Sequence, residues 1–394
     1  MRKIVKAMRK VIYLRDQSNF KRYINSLLEE VDFTPIVNIV PKEIKSITFV
    51  IPGMPAFSGG HTSILRLGTE LSKRGYDIGY VSFAPQNIED MKKNAEINLT
   101  NYKGNILGDD ITKVKSDIVI ATSWESVYYS RKMSGYKMYF IQDYEPYFNL
   151  YGESYIMAQK SYEVGYHMVS LGKWNKHMIE KECIVNSELD YITFPYEGKE
   201  YFAQERNFDS YKDKKEFNFA VYIKDVGKRA PYLIQYLLTK LKNDFSKEGI
   251  TLNIKYYGED KNFKCEGGEN IGKLNKSELL NLYNTSDFGL VASLTNISLV
   301  PYEMLATGLP VIEFKEGTFE YFFPENTAIV TSFDYKEFYN QIKEVINNPD
   351  KLKEMNVNSM KYLNGLSWKK TTDEFVEILN KIIIKKGEYY GEKC

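Results

Sequence analysis

Short apolar runs rich in β-branched and aromatic residues alternate with helical patterns after residue 45. In the first half these runs are ITFVIP, DIGYVSF, DIVIAT, KMYFIQ, HMVS and YITF, and a helical pattern over residues 60–74 follows the first of them. Strands that alternate with helices in this way predict a doubly wound, parallel α/β sheet.

The same alternation starts again after a charged segment with few strand formers, residues 205–216. Its runs are FNFAVYI, TLNIKYYG, DFGLVAS, PVIEF and AIV, with helical patterns from about 229, near 276–285 and near 300–307. The 394 residues exceed the length at which one hydrophobic core stops growing, about 250 to 300 residues. We therefore predict two Rossmann-like domains, residues 46–205 and residues 206–367, that face each other across a cleft.

The two ends of the chain form further segments. Residues 1–45 are predicted to be a helical extension that begins with MRKIVKAMRKVIYLR, an apolar stripe among basic residues. Two interpretations of residues 1–15 are open: the stripe packs on the protein, or it lies in the plane of an anionic membrane. Residues 368–394 are predicted to be a long helix that crosses back to the N-terminal domain.

Composition narrows the class of protein. The 53 basic and 52 acidic residues nearly cancel, so no overall field attracts nucleic acid. Three cysteines and three histidines without metal-ligand spacing indicate a reducing compartment and no zinc site. No apolar run reaches the roughly 18 to 20 residues of a transmembrane helix. We expect a cytoplasmic protein, peripheral at the inner face of the membrane if residues 1–15 bind lipid, with no metal or other cofactor.

A glycine pair follows the first predicted strand, in the segment PGMPAFSGGHTSILRL. Gly59 and Gly60 would place free backbone N–H groups and a positive helix end at the edge of the sheet, where a phosphate can approach. The three-glycine spacing of a dinucleotide fingerprint is absent, so glycines of a tight turn without a ligand are the alternative. His61 could bind a sugar or phosphate, or have a structural role.

A second motif, PYEMLATGLPVIEF, occupies residues 301–314. We expect Glu303 to begin a helix beside the crevice where the strand order reverses, placed to accept both hydroxyls of a ribose. The alternative is that Glu303 stabilises the helix dipole from the first turn.

The order of these motifs resembles glycosyltransferase family 4, and most of all the WsaF-type rhamnosyltransferases. The likeness spans residues 46–375 and includes IPGMPAFSGGHTSILRL, FIQDYEPYF, VSLGKW and IGKLNKSELLNLYNTSDFGL. It implies the GT-B fold and a retaining transfer of a sugar from a nucleotide diphosphate donor, the substrate, to a saccharide acceptor, free or lipid-linked. Cell-surface glycan biosynthesis and rhamnose from a dTDP donor are the best single expectations.

The resemblance also implies roles for particular residues. Arg229 and Lys273 would stabilise the charge on the leaving diphosphate without a metal, although both could be ordinary surface cations. Donor contacts are implied for Gly59, Gly60, Lys224, Gly272, Ser298, Val300 and Glu303. The sequence departs from the family in two places: Thr295 replaces a carboxylate, and Ile223-Lys224 replaces a Gly-Arg pair, for which Lys224 could substitute.

The segment FIQDYEPYF is expected to recognise the acceptor or sugar. His61, Asp143 and Glu145 would hydrogen-bond hydroxyls, while Tyr144 and Tyr147 would stack on a sugar ring. Asp143 and Glu145 also mimic the D-x-D metal site of the other glycosyltransferase fold. Two functions besides transfer stay open: a nucleotide-sugar 2-epimerase, which needs more acid and base groups, and a non-catalytic partner subunit, because of Thr295.

Overall fold

The computed structural model describes residue 18, residues 20–198 and residues 201–391. The chain forms two compact units. Of the described residues, the first unit holds those before Leu171, Met178–Asp190 and those from Val376 onward, and the second holds Leu171–His177 and those between Tyr191 and Phe375. The basic segment of residues 1–15 lies outside the described residues. The division into an acceptor-side and a donor-binding domain stays a prediction.

The first sheet has seven strands in the order β3-β2-β1-β4-β5-β6-β7. All pairings from β3 to β6 are parallel, and the order reverses between β1 and β4. Loops on the two sides of such a reversal open a crevice at the carboxyl ends of the strands. The strands are β1 (Ser46–Ile51), β2 (Asp77–Ser82), β3 (Asn105–Ile106), β4 (Lys115–Ala121), β5 (Ser134–Ile141), β6 (His167–Leu171) and β7 (Leu189–Ile192).

Six α-helices precede the second sheet in the described chain. Helix α2 begins after Ser58, whose side chain accepts a hydrogen bond from the backbone of His61, and it buries Ile64, Leu65 and Leu71. This N-cap and the apolar stripe explain why the helix starts at the glycine pair. The helices are α1 (residues 20–28), α2 (Gly59–Ser72), α3 (Ile88–Asn98), α4 (Trp124–Ser130), α5 (Glu153–Lys160) and α6 (Lys173–Glu182).

The second sheet has six parallel strands in the order β10-β9-β8-β11-β12-β13. It reverses between β8 and β11. The strands are β8 (Glu216–Tyr222), β9 (Thr251–Tyr257), β10 (Glu269–Gly272), β11 (Phe288–Leu290), β12 (Val311–Phe314) and β13 (Ile329–Thr331). Two separate, parallel α/β sheets confirm the predicted fold class, because no strand joins them into one sheet among the described residues.

The core of the second unit lies between β8 and α7. Phe217, Phe219 and Val221 alternate along β8 and pack in one buried cluster with Leu237 and Leu241 of α7.

None of the described helices is long and apolar enough to cross a membrane. The remaining helices are α7 (Pro231–Lys247), α8 (Lys276–Thr285), α9 (Leu299–Ala306), α10 (Tyr335–Asn347), α11 (Pro349–Leu363) and α12 (Trp368–Gly391).

Candidate functional site

The point at which the second sheet reverses is the best-defined candidate site. Strands β8 and β11 are neighbours, and the loops that follow them meet at the carboxyl edge of the sheet. Arg229 follows β8, Ser293 follows β11, and Glu303 lies on the next helix, α9. Ligands of open α/β sheets bind at such a position.

Arg229 is anchored at one end only. Its side chain is 8% exposed, and its Nη1 donates to Ala292 O at 3.0 Å and to Ser293 Oγ at 3.3 Å. The guanidinium carbon lies 5.9 Å from the centre of the Tyr222 ring. The Nε and Nη2 hydrogens bond to no residue in the part of the chain that the structure describes. Arg229 therefore offers a planar, preorganised fork to an anion.

Lys224 and Lys273 lie near each other, although they follow different strands. Burial lowers the pKa of Lys224, the carboxylate of Glu259 opposes this shift, and the charge of Lys273 adds to it. Glu259 is held by the backbone N–H groups of Asp225 and Asp260, at 3.0 Å and 2.8 Å. Within residues 201–391, neither lysine has a hydrogen-bond or ion-pair partner. Both ammonium groups are available to a phosphate.

Glu303 faces the ends of β8 and β9. Burial raises the pKa of Tyr222, while Arg229 opposes the shift and Glu303 adds to it. Burial also raises the pKa of Tyr257, and the charge of Glu303 adds to that shift. Helix α9 begins at Leu299 and has no acidic residue in its first turn. Glu303 is therefore in the second turn, not at the start as we expected, so dipole stabilisation from the first turn does not explain this residue.

The start of α9 has an unsatisfied polar atom. Ser298 is the N-cap residue, but its side chain makes no capping bond, and its buried Oγ has no hydrogen-bond partner among the described residues. Val300 lies in the first turn, where backbone N–H groups have no partner within the helix. This helix end suits an anion.

Gly272 has a structural role in its own turn. Its φ is +86°, and a Cβ there would lie 2.5 Å from Cγ of Lys261. Its carbonyl accepts a hydrogen bond from the backbone of Gly258 at 2.9 Å, which joins the loops after β9 and β10. A direct donor contact by Gly272 stays a prediction.

The glycine pair of the first unit is open, and His61 braces the loop before it. Gly59 and Gly60 are exposed at the start of α2. The ring of His61 is 9% exposed, with Nε2 2.8 Å from Gly53 O and Nδ1 2.8 Å from Ser58 Oγ. The carbonyl must accept, so Nε2 carries the proton and Nδ1 accepts from Ser58. Binding a sugar through the ring would break one of these bonds, so the structure favours the structural alternative for His61.

The segment expected to recognise the acceptor is largely buried. Tyr144 has no exposed surface and stacks on Tyr162 with 5.7 Å between ring centres, so it cannot offer a ring face to a sugar as we predicted. Asp143 is 8% exposed. In the same segment Tyr147 is 47% exposed and Phe148 is 51% exposed. Tyr147 and Phe148 are therefore accessible aromatic rings in this segment.

Glu145 is buried at 7% exposure and holds the start of α4. Its Oε2 accepts from the Trp124 backbone at 2.5 Å and from the Tyr139 hydroxyl at 3.0 Å. Burial, reinforced by the charge of Glu125, raises the pKa of Glu145 to about 8. These bonds give no support to Glu145 as a ligand of the alternative D-x-D metal site. No group of three His, Cys, Asp or Glu residues suited to a metal occurs in the described ranges.

Sequence reasoning missed Ser293 and Glu313. Glu313 has no exposed surface, and Ser293 donates to it from Oγ at 2.7 Å and from its backbone N–H at 3.2 Å. Burial raises the pKa of Glu313 to about 7, while Ser293 and the charge of Arg229 oppose the shift. The available signal was a glutamate inside the apolar run PVIEF.

A cavity of about 780 Å³ in the second unit lies apart from these residues. It is lined by residues of segment 319–330 and of α10 and α11, and by none of the predicted donor residues. Its walls carry three glutamates and one lysine, and this excess of negative charge would repel a diphosphate. The charged lining residues are Glu320, Glu325, Glu354 and Lys351. The switch point, not this cavity, is the candidate site.

Comparison with protein-family models and with curated proteins gives no match. Solved structures do match. Sucrose-phosphate synthase from Thermosynechococcus elongatus has a TM-score of 0.63 at 11% identity over 86% of this chain and all of that one. HepE from Anabaena, in complex with UDP-glucose, has a TM-score of 0.62 at 11% identity over 85% and 99%. WaaG, a glycosyltransferase of lipopolysaccharide biosynthesis, has a TM-score of 0.58 at 12% identity over 84% and 99%.

These likenesses show the fold alone. It is the GT-B fold of two parallel α/β sheets, as the sequence predicted.

Proposed function

We propose that the protein is a glycosyltransferase that moves a sugar from a nucleotide diphosphate donor to a saccharide acceptor. The observation that carries this proposal is Arg229: a guanidinium anchored through Nη1, with its Nε and Nη2 hydrogens unbonded to any described residue, at the switch point of a parallel sheet. A fork of this kind matches the geometry of phosphate oxygens.

The groups around Arg229 fit the parts of such a donor. The start of α9 at Ser298 and Val300 would receive a phosphate, Lys224 and Lys273 would add positive charge, and Glu303 would accept from ribose hydroxyls. Breaking the bond between sugar and diphosphate builds negative charge on the leaving group. Arg229 and Lys273 would stabilise that charge, so the proposed transfer needs neither a metal nor another cofactor.

The proposals for the stereochemistry of transfer, the donor sugar, the acceptor side and membrane contact are based on the sequence. The resemblance to family 4 supports a retaining hexosyl transfer in cell-surface glycan synthesis, with rhamnose from a dTDP donor as the first candidate and UDP-glucose, bound by HepE, as the second. The proposed acceptor side is the first unit, and Gly59 and Gly60, at the start of its helix α2, are proposed to contact the donor. Membrane contact is supported by the sequence of residues 1–15 alone, and flotation with anionic liposomes before and after its deletion tests it.

The test is a thermal-shift panel of nucleotide sugars, followed by a transfer assay with the best binder. A ligand at 100 times its dissociation constant should stabilise the protein by about 2.7 kcal/mol. No stabilisation by any nucleotide sugar would refute the proposal. Binding without transfer or donor hydrolysis would indicate the non-catalytic partner subunit, and inversion at the sugar C2 would indicate the epimerase.

A further inference from the structure

The carboxylate of Glu313 lies inside the second sheet. All four residues of β12 are buried, and the Glu313 side chain has no exposed surface. Its Oε1 accepts from Ser293 Oγ at 2.7 Å, and its Oε2 accepts from Ser293 N at 3.2 Å. A buried carboxylate is stable only if it is paired and hydrogen-bonded, and here one residue of the neighbouring β11 loop serves both oxygens.

Ser293 connects this carboxylate to Arg229. A serine hydroxyl has one hydrogen, and because Ser293 Oγ gives it to Glu313 at 2.7 Å, a lone pair of the same oxygen receives the Arg229 Nη1 hydrogen at 3.3 Å. The direction of this chain of bonds is fixed by the carboxylate, which only accepts when it is ionised.

The same serine also holds the loop that follows β12. Its carbonyl accepts from Thr318 N at 2.7 Å and from Thr318 Oγ1 at 3.1 Å. A Cβ at Gly317 would lie 2.4 Å from that carbonyl oxygen, so the approach requires glycine. The loops after β8, β11 and β12 therefore meet at Ser293.

We propose that Glu313 is a positioning residue for the donor diphosphate. Through Ser293 it fixes the Arg229 guanidinium at Nη1, so that the Nε and Nη2 edge is presented to the phosphates. The ionised carboxylate also attracts this nearly buried cation. The inference rests on the proposed function and extends it, because Glu313 itself would touch no substrate.

The test replaces Glu313 and measures affinity by calorimetry for UDP, dTDP, GDP and ADP and for the matching nucleosides. Glu313→Gln keeps the shape of the side chain and removes its charge. Its amide NH2 group would face one of the two hydrogen-bond donors of Ser293, so that one of these bonds is lost. We expect the dissociation constant of the best-bound nucleoside diphosphate to rise about tenfold, as for one weakened charge-assisted bond, with nucleoside affinity unchanged. In an Arg229→Ala background the same change should cause no further loss, because the group that Glu313 positions is gone.

The matched control is Asp287→Asn. Asp287 is also buried, at 7% exposure, and pairs with Lys214 and with the backbone of Asn218, but it lies just before β11, at the opposite edge of the sheet. This variant should lose stability and keep diphosphate affinity. In a turnover assay Glu313→Gln should raise the donor KM about tenfold, whereas partial unfolding would lower only the apparent kcat.

Ser293→Ala gives a second variant if Glu313→Gln does not fold. It removes the link and leaves the carboxylate, and we expect the same loss of diphosphate affinity. Unchanged diphosphate affinity in a folded Glu313→Gln or Ser293→Ala protein would overturn the inference and leave the proposed function intact. A wild-type protein that binds none of the four diphosphates would overturn both.

Discussion

Replacing Arg229 tests the candidate site most directly. Arg229 donates hydrogen bonds from Nη1 to Ala292 and Ser293, and its Nε and Nη2 hydrogens remain for a ligand. Two charge-assisted hydrogen bonds to a phosphate, at about 1.5 to 3 kcal/mol each, set the scale of the loss. We therefore expect Arg229→Ala to weaken nucleoside diphosphate binding by about 3 kcal/mol, or roughly 100-fold, and turnover by about 100-fold or more.

Arg229→Lys separates charge from geometry. An ammonium group keeps the positive charge but cannot bond Ala292 O and a bidentate phosphate at once, so affinity should recover only to about tenfold below wild type. Calorimetry with the diphosphate and its nucleoside measures both variants. Lys247→Ala removes an exposed cation at the end of α7, at the opposite edge, and should change nothing. Wild-type diphosphate affinity in a folded Arg229→Ala protein would contradict the assignment of the site.

Three further predictions concern Glu303, Glu145 and Lys273. Glu303→Ala should weaken nucleotide binding by about 1.5 to 3 kcal/mol with little change in melting temperature, and equal affinity would remove Glu303 from the site. The pKa of Glu145 is raised to about 8, so between about pH 5 and pH 8 the folded protein keeps a proton that the unfolded chain releases, and the melting temperature should fall over this range. Glu145→Gln should make the melting temperature less dependent on pH. An unchanged dependence in this variant would contradict the raised pKa. Lys273→Ala should lower the transfer rate by about 100-fold while EDTA leaves wild type active, and loss of activity in EDTA would assign the charge to a metal.

The elements that the sequence predicts best have their signals close together in the chain. Helix α8 was predicted at residues 276–285 and spans Lys276–Thr285, where Asn275 and Glu278 form a reciprocal capping box. Strand β3 was not predicted, because it has only two residues and depends on its pairing with Gly79 and Tyr80. Local patterns define a helix end, whereas such a strand exists only through its neighbour.

The sequence predicted which loops form the candidate site, but not the position of every residue within its element. The resemblance implied Arg229 and Lys273 as partners of the diphosphate and Lys224 as a substitute for the family's Gly-Arg pair, and the structure brings Lys224 close to Lys273. The helical pattern near 300–307 agrees with α9, Leu299–Ala306, but Glu303 was expected at the start of this helix and lies four residues after Leu299. Proline is favoured in the first turn of a helix but does not fix which position of that turn it occupies.

Asp143 and Glu145 follow strand β5 just as Arg229 follows β8, but the structure gives no support to Glu145 as a ligand-binding residue, whereas Arg229 keeps hydrogen-bond donors for a ligand. Which way a loop side chain turns depends on partners distant in sequence: the start of α4 needs the Glu145 carboxylate, and Tyr162 packs over Tyr144. The residues next to Asp143 and Glu145 in the sequence do not indicate these distant partners.

A charged residue inside a buried strand is more informative, because a carboxylate is not stable within the sheet without hydrogen-bond partners. Glu313 in PVIEF is such a charge, and its partner Ser293 leads to Arg229. A charged residue that interrupts an apolar strand beside a switch point therefore predicts a second residue at the site, even though the sequence does not say which one.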